Sequence, residues 1–171
     1  GIFEATRFAA PCEVSRTTIT NYLAVLEATA VALVLRPFTS RRSNEIIAAP
    51  KVYGFDTGFV CAHRGWTRLR PDDLGHLWEH YVFNELSARL QTAVLRYWRD
   101  KQGHEVDLIW AARGKNPVAI ECKWSVRDFD PANLLVFGRA YPKATLVVTS
   151  PDARPAFTRT YRGIEVRFLT L

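Results

Sequence analysis

The sequence has 171 residues, a net charge of +6, 48% hydrophobic residues and three cysteines, which suits one sizeable core with, at most, a small module appended. The longest apolar stretch falls far short of the roughly 20 residues that span a bilayer, and the cysteines lack a CxxC spacing, which argues against a zinc cluster or a disulfide framework. We therefore expect a protein of the reducing cytoplasm, with no membrane segment and with a charge that suits a polyanionic partner. Because the chain starts at Gly1 and contains no methionine, we also expect it to be part of a longer protein.

Residues 1–70 predict a winged helix-turn-helix module followed by a linker. A first helix is expected to end near Ala10, and "SRTTITNYLAVLEAT" predicts a second helix with Ser15 as its N-cap, because its apolar residues recur at helical spacing. Residues 31–38 and the segment "KVYGFDTG" predict two strands joined by the basic turn "TSRRSNE". Two helices followed by a two-stranded ribbon are typical of a winged helix.

Four residues of this module are candidate nucleic-acid contacts. Arg16 and Thr18 lie near the start of the predicted second helix, and Arg41 and Arg42 lie near the tip of the ribbon. Winged helices also hold proteins together, so DNA binding and protein packing both fit the pattern.

Residues 71–171 predict a second domain of the α/β class. An amphipathic helix is expected to start near Gly75 and to be followed by three strands, a helix from Pro131 to Ala140, and two further strands. The apolar face of the first helix is predicted to consist of Leu77, Tyr81, Val82, Leu86 and Leu90. The predicted strands are "AVLRYWRD", "EVDLIWA", "VAIECKW", "ATLVVTS" and "IEVRFLTL".

Acidic residues occur inside two of these predicted strands. A hairpin centred on Gly114 would set Asp107 opposite Glu121, and Glu105 opposite Lys123, all on one face. The other face is predicted to carry Val106, Leu108, Ile120, Cys122 and Trp124.

Two adjacent carboxylates repel each other unless they share a proton or a cation. Oxygen ligands from Asp107 and Glu121 suit Mg²⁺ or Mn²⁺, and Lys123 beside them suits the hydrolysis of a phosphodiester. The alternative is a solvent-facing sheet surface on which Glu105 pairs with Lys123. We favour the metal site because Asp and Glu are poor strand formers and opposed carboxylates destabilise a sheet.

A helix that carries a glutamate is followed in the sequence by an Asp and then by Glu-x-Lys. This order resembles the core pattern of the PD-(D/E)XK nuclease superfamily, which has the restriction-endonuclease-like fold. The blocks "SRTTITNYLAVLEAT", "PKVYGFDTGF", "LGHLWEHYVFNEL", "YWRDKQGHEVDLI" and "VAIECKW" resemble the C-terminal region of prokaryotic AAA-type ATPases, in which a winged helix precedes a nuclease-like domain. The resemblance implies Glu79, Asp107 and Glu121 as metal ligands, Lys123 as the catalytic lysine, nucleic acid (DNA) as partner, and an upstream ATPase domain. Val106 stands where the superfamily pattern has proline, and a GxxxxGK[ST] phosphate loop does not occur in the sequence.

The segment "HLWEH" also matches the H-x-x-E-H pattern of a zinc protease, with His76 and His80 one helical turn apart. We disfavour that interpretation because it needs a third ligand from elsewhere, and we expect both histidines on the helix surface. Glu85 points away from Glu79 and is expected to pair with Arg99.

Asp56 is expected to be a turn or cap residue, and Tyr97, Trp98 and Trp124 are expected in the core. The function is expected to be Mg²⁺-dependent phosphodiester hydrolysis or, from a different class, a non-catalytic DNA- or protein-binding module that regulates the upstream ATPase.

Overall fold

The computed structural model describes residues 2–38, 49–90 and 95–171, and within them it is a mixed α/β structure. Its helices are α1 (Ala5–Ala9), α2 (Arg16–Ala28), α3 (Thr57–His63), α4 (Pro71–Leu90) and α5 (Ala132–Ala140). Its strands are β1 (Ala32–Leu35), β2 (Lys51–Gly54), β3 (Leu95–Arg99), β4 (Glu105–Trp110), β5 (Val118–Cys122), β6 (Thr145–Thr149), β7 (Phe157–Tyr161) and β8 (Ile164–Leu169). None of the helices in these ranges combines the length and apolar character needed to cross a membrane.

The strands form two sheets. β1 and β2 make a two-stranded antiparallel sheet, and the other six strands form a mixed sheet in the order β3-β4-β5-β6-β8-β7. β3, β4 and β5 are successive antiparallel neighbours, whereas β5, β6 and β8 run parallel. The predicted mixed sheet flanked by helices is therefore confirmed at this level of description.

The helices and strands expected in residues 1–70 are present. Ser15 caps α2, since its side chain accepts a hydrogen bond from the Thr18 amide, which satisfies a donor that the helix start leaves free. Asp56 caps α3 by accepting a hydrogen bond from the Phe59 amide. The cap was predicted, but helix α3 itself was not.

Helix α4 begins at Pro71. The prediction that it starts near Gly75 is wrong. Proline is favoured at a first helical position, and the Asp73 carboxylate accepts a hydrogen bond from the Arg70 amide just before the helix. The buried side of α4 also differs from the predicted face, because Tyr81 is 43% exposed while Phe83 is fully buried. The residues buried on α4 are Asp73, His80, Val82, Phe83 and Ser87.

A β-bulge interrupts β4 at Asp107 and Leu108. Between two successive pairings with β3, Arg96–Ile109 and Trp98–Val106, the register advances two residues on β3 and three on β4. The extra residue turns the following side chains to the opposite face. Val106 therefore packs on the α5 side of the sheet and Leu108 on the α4 side, and the prediction that they share a face is wrong.

Two apolar clusters cover the two faces of the large sheet. One contains α5 residues such as Phe137 with strand residues such as Val148 and Phe168. The other joins α4 to strand residues and also contains Leu35 of β1 and Tyr53 of β2. The small sheet therefore packs into the same core as α4.

Strand β7 was missed by the sequence analysis. It forms a hairpin with β8, in which Tyr161 pairs with Ile164 across Arg162 and Gly163. Both turn residues have positive φ, 51° and 82°, as a tight two-residue hairpin turn requires. The alternation in "FTRTY" followed by Arg-Gly was the available signal.

Candidate functional site

The β4–β5 hairpin adopts the predicted register. Leu108 pairs with Ile120 and Trp110 with Val118 around the turn at Gly114, where φ is +73°. Beyond Leu108 the ladder gives way to a side-chain contact, because the Asp107 Oδ2 atom accepts a hydrogen bond from the Cys122 amide at 2.8 Å. Asp107 therefore lies at the bulge, beside the end of β5.

Asp107 lies in a setting that disfavours its charge. Its side chain is 16% exposed. Burial, followed by the charges of Glu121 and Glu79, raises its pKa well above the ordinary value, against the opposing effect of Lys51. Asp107 is therefore a carboxyl group whose ionised form gains from added positive charge.

Glu121 and Lys123 contact each other at the end of β5. The Lys123 Nζ atom donates a hydrogen bond to Glu121 Oε1 at 2.9 Å. Burial raises the pKa of Glu121, although Lys123 opposes the shift. Within the part of the chain that the structure describes, the buried Glu121 Oε2 atom has no hydrogen-bond partner. A buried carboxylate oxygen without a donor is costly, and it marks a place where a positive ligand would be stabilised.

Glu79 projects from α4 towards the same region, as the resemblance implied. Its Oε1 atom accepts hydrogen bonds from Tyr53 Oη and, at 3.2 Å, from Lys51 Nζ. Burial raises the pKa of Glu79, but the charge of Lys51 and the Tyr53 hydrogen bond outweigh burial, so the pKa lies below its ordinary value. Glu79 is therefore held as a carboxylate.

Lys51 was not predicted as part of the site. Its side chain is only 6% exposed, and its Nζ atom lies 2.6 Å from Glu105, 3.2 Å from Glu79 and 3.9 Å from Asp107. Burial lowers the pKa of Lys51, but the three carboxylates together raise it above the ordinary value, so the ammonium stays charged. No local sequence pattern predicts these contacts, because Lys51 lies far from its partners along the sequence.

An open cleft of about 610 Å³ exposes part of this constellation. Glu79, Asp107 and Lys123 line it, together with His76 of α4 and Trp124 just after β5. Glu121 does not line the cleft but is hydrogen-bonded to Lys123, which does. The four predicted residues therefore meet, with three of them facing the same open space.

Several predicted contacts differ in the structure. Glu105 does not pair with Lys123, because the β4–β5 ladder ends at the Leu108–Ile120 pair; the Glu105 carboxylate contacts Lys51 instead. Glu85 pairs with Arg89, one helical turn away, at 2.9 Å and not with Arg99.

Two predictions about burial are also wrong. His80 is buried, because its Nε2 atom is 2.7 Å from the Gly54 carbonyl oxygen, which gives the ring a polar partner inside the core. Trp124, expected in the core, is 40% exposed because it follows the end of β5. Tyr97 and Trp98 are buried, as expected.

The donor chemistry of the site suits a hard divalent cation. No group of three or more His, Cys, Asp or Glu side chains with the geometry of a metal centre occurs in residues 2–38, 49–90 and 95–171. Mg²⁺, however, is commonly held by one or two carboxylates, with water and phosphate oxygens as the other ligands. The unpaired oxygen of Glu121 and the raised pKa of Asp107 fit a site that further positive charge would stabilise.

Four residues were predicted to contact nucleic acid, and none of them lines this cleft within the part of the chain that the structure describes. Arg16 is exposed at the start of α2. The Thr18 hydroxyl lies 2.9 Å from Ser15 Oγ and so belongs to the helix cap. Arg41 and Arg42 lie outside the residues that the structure describes.

More than half of the chain matches the model of a known protein family. Residues 74–168 match the family described as a domain of unknown function, DUF4143. The chain belongs to the DUF4143 family. Residues 1–70 match a second family model, also described as a domain of unknown function, DUF8612. The DUF4143 match covers most of α4 and nearly all of the large sheet.

Two curated mycobacterial proteins resemble this DUF4143 chain. They are "Uncharacterized protein Mb2031c" of Mycobacterium bovis and "Uncharacterized protein Rv2008c" of Mycobacterium tuberculosis, each 32% identical over 126 residues. The similarity covers 71% of this chain and 28% of each relative. The chain therefore spans less than a third of the length of these relatives.

A solved structure also resembles the chain at low similarity. It is a half-complex from a tetradecameric assembly of Thermococcus gammatolerans McrB AAA+ hexamers with bound McrC. The TM-score is 0.42 with 16% sequence identity, over 57% of this chain and 28% of that one.

Proposed function

We propose that the DUF4143 chain is a nuclease of the PD-(D/E)XK type that hydrolyses phosphodiester bonds in DNA with the help of Mg²⁺ or Mn²⁺. The observation that carries this proposal is the convergence of four side chains from three elements. Glu79 of α4 and Asp107 at the β4 bulge face one cleft with Lys123, which is hydrogen-bonded to Glu121 of β5. Bulges are common beside active sites because they re-aim side chains.

The order of elements supports a restriction-endonuclease-like fold for residues 71–171. One helix, a three-stranded antiparallel meander, a crossover helix and a parallel strand follow one another as α4, β3 to β5, α5 and β6. Residues 1–70 supply two helices and a two-stranded sheet, which supports the winged helix-turn-helix proposal.

Asp107, Glu121 and Glu79 are the residues that would hold the divalent ion. Such an ion supplies an activated water at neutral pH and stabilises charge on a phosphoryl oxygen. Lys123 faces the cleft with a side chain that is 29% exposed, so its ammonium can reach a phosphate while Glu121 orients it. Glu121 also keeps Lys123 charged, since the pKa of Lys123 is raised by its contact with Glu121 despite the opposing effect of burial.

Charge supports a nucleic-acid partner for the whole chain. The net charge of +6 favours association with a polyanion. The proposed contacts to DNA remain four residues of the module in residues 1–70, namely Arg16 and Thr18 of α2 with Arg41 and Arg42. An ATPase domain upstream of this chain is part of the same proposal.

A second function is favoured by a different observation. Lys51 and Lys123 contact the carboxylates of Glu79, Glu105 and Glu121, so part of their negative charge is balanced without an added ion. This favours a non-catalytic module that binds DNA or protein and regulates an upstream AAA ATPase.

Cleavage assays separate the two functions. The purified chain would be incubated with supercoiled plasmid in Mg²⁺ or Mn²⁺, beside Asp107→Asn and Lys123→Met. A nuclease nicks the plasmid only with the ion, and both variants lose the nicking. Glu85→Gln is the matched control, because Glu85 lies on α4 but pairs with Arg89 outside the cleft.

A folded chain that cuts neither DNA nor RNA with either ion would refute the nuclease proposal. DNA binding that survives Asp107→Asn in such a chain would support the regulatory module.

A further inference from the structure

We propose that the Lys51 ammonium occupies the place of a cation among the carboxylates of Glu79, Glu105 and Asp107. A divalent ion then binds there strongly only when Lys51 moves away. This inference rests on the proposed function, because it concerns how that same site is loaded. It assigns to β2 of residues 1–70 control over a site whose carboxylates belong to residues 71–171.

The position of Lys51 is that of a bound cation and not of a surface lysine. Its Nζ atom contacts three carboxylates within 4 Å, from Glu79, Glu105 and Asp107. These three residues lie on α4 and β4, so Lys51 joins elements that are separate in sequence. The Nζ atom also lies 5.5 Å from the centre of the Tyr97 ring, whose face attracts a cation.

Lys51 and a divalent ion compete for two of the same carboxylates. Mg²⁺ binds its ligands at about 2.0 to 2.1 Å and repels any ammonium that remains nearby. Glu79 and Asp107 are both contacts of Lys51 and proposed ligands of the ion. Loading of the ion therefore requires that the ammonium move away from at least these two carboxylates.

The surroundings hold the lysine in place through the small sheet. Lys51 pairs with Leu35 of β1, and both Leu35 and Tyr53 are buried in the cluster beneath α4. Tyr53 also donates a hydrogen bond to Glu79 and packs against Phe83, with ring centres 4.7 Å apart. A displacement of the β1–β2 sheet would therefore carry Lys51 and Tyr53 away from the carboxylates together.

Mn²⁺ binding, followed by electron paramagnetic resonance of the free ion, tests the competition. We expect Lys51→Met to bind Mn²⁺ at least tenfold more tightly than the parent chain, and Lys51→Arg to bind like the parent. The double variant Lys51→Met/Asp107→Asn should lose the gain. Lys101→Met is the matched control for net charge, because Lys101 is exposed on a turn. Binding to Lys51→Met that is equal to or weaker than binding to the parent overturns the proposal.

Lysine labelling in the unaltered chain covers the case in which Lys51→Met does not fold. Brief acetylation read by mass spectrometry should modify Lys51 slowly and the exposed Lys143 rapidly. Saturating Mn²⁺ is expected to speed the labelling of Lys51 severalfold and leave Lys143 unchanged. Labelling of Lys51 that does not respond to the ion also overturns the proposal.

These results are distinguishable from a failure of the proposed function. Tighter Mn²⁺ binding by Lys51→Met without any nucleic-acid cleavage supports the competition and refutes the nuclease. Ion-dependent cleavage by a parent chain whose Mn²⁺ affinity is unchanged by Lys51→Met supports the nuclease and refutes the competition.

Discussion

Substitution Lys51→Met should destabilise the folded chain strongly at neutral pH. The change removes an almost fully buried ammonium from three carboxyl groups and leaves the Glu79 carboxylate without the cation that contacts it. Breaking a buried ionic cluster in this way costs about 3 to 5 kcal/mol. The three carboxylates keep 16%, 22% and 27% side-chain exposure, and water therefore offsets part of the loss. We expect a decrease of about 3 kcal/mol in the free energy of unfolding, at the low end of that range.

Urea unfolding at several pH values measures this effect and its cause. The pKa of Glu79 is lowered in the folded state, with Lys51 as a main source of the lowering. Its contribution to stability is therefore present above the unfolded pKa of about 4.3 and is lost as pH falls through the folded pKa. The gap between parent and Lys51→Met should narrow below about pH 4 for this reason.

The matched control is Arg7→Met, which breaks the exposed pair with Glu4 and should change stability by less than about 1 kcal/mol. A Lys51→Met effect no larger than that of the control at pH 7, or one that does not depend on pH, would refute the reasoning.

Three further predictions concern Asp107, Tyr53 and Asp56. Burial and neighbouring carboxylates raise the pKa of Asp107 in the folded state, so stability should decline as pH rises above about 3.9, and Asp107→Asn should flatten that decline in urea midpoints. An unchanged slope would contradict the assignment. Tyr53→Phe removes the hydrogen bond to the Glu79 carboxylate and should cost about 1.5 to 3 kcal/mol in the same assay, because bonds to charged groups are strong; a loss below about 0.5 kcal/mol would argue against it. Asp56→Ala removes the cap of α3 and should lower the unfolding free energy by about 1 kcal/mol, and a neutral result would show that the cap adds nothing.

Local signals in the sequence predicted most of the elements, because each depends on neighbouring residues. The Ser15 cap and helical spacing located α2, and the β4–β5 register followed from the turn at Gly114. The start of α4 was misplaced although Pro71 and Asp73 carried the signal. Helix α3 and strand β7 were missed because both are short and their patterns compete with loop composition.

The candidate site, like the fold, could be predicted only in part from the sequence. The pattern around Asp107, Glu121 and Lys123 was readable because these residues lie on one hairpin, and Glu79 came only from the family resemblance. The bulge at Asp107 was not readable, since an alternating pattern does not show where one extra residue enters a strand.

The sequence by itself thus determined which acidic and basic groups the hairpin carries and how its strands align, because hairpin pairing depends on a short turn. Only the tertiary structure decided which cation those acids contact. Lys51 reaches them because β2 packs beneath α4 in a shared apolar core, and that packing brings together residues that are remote along the chain.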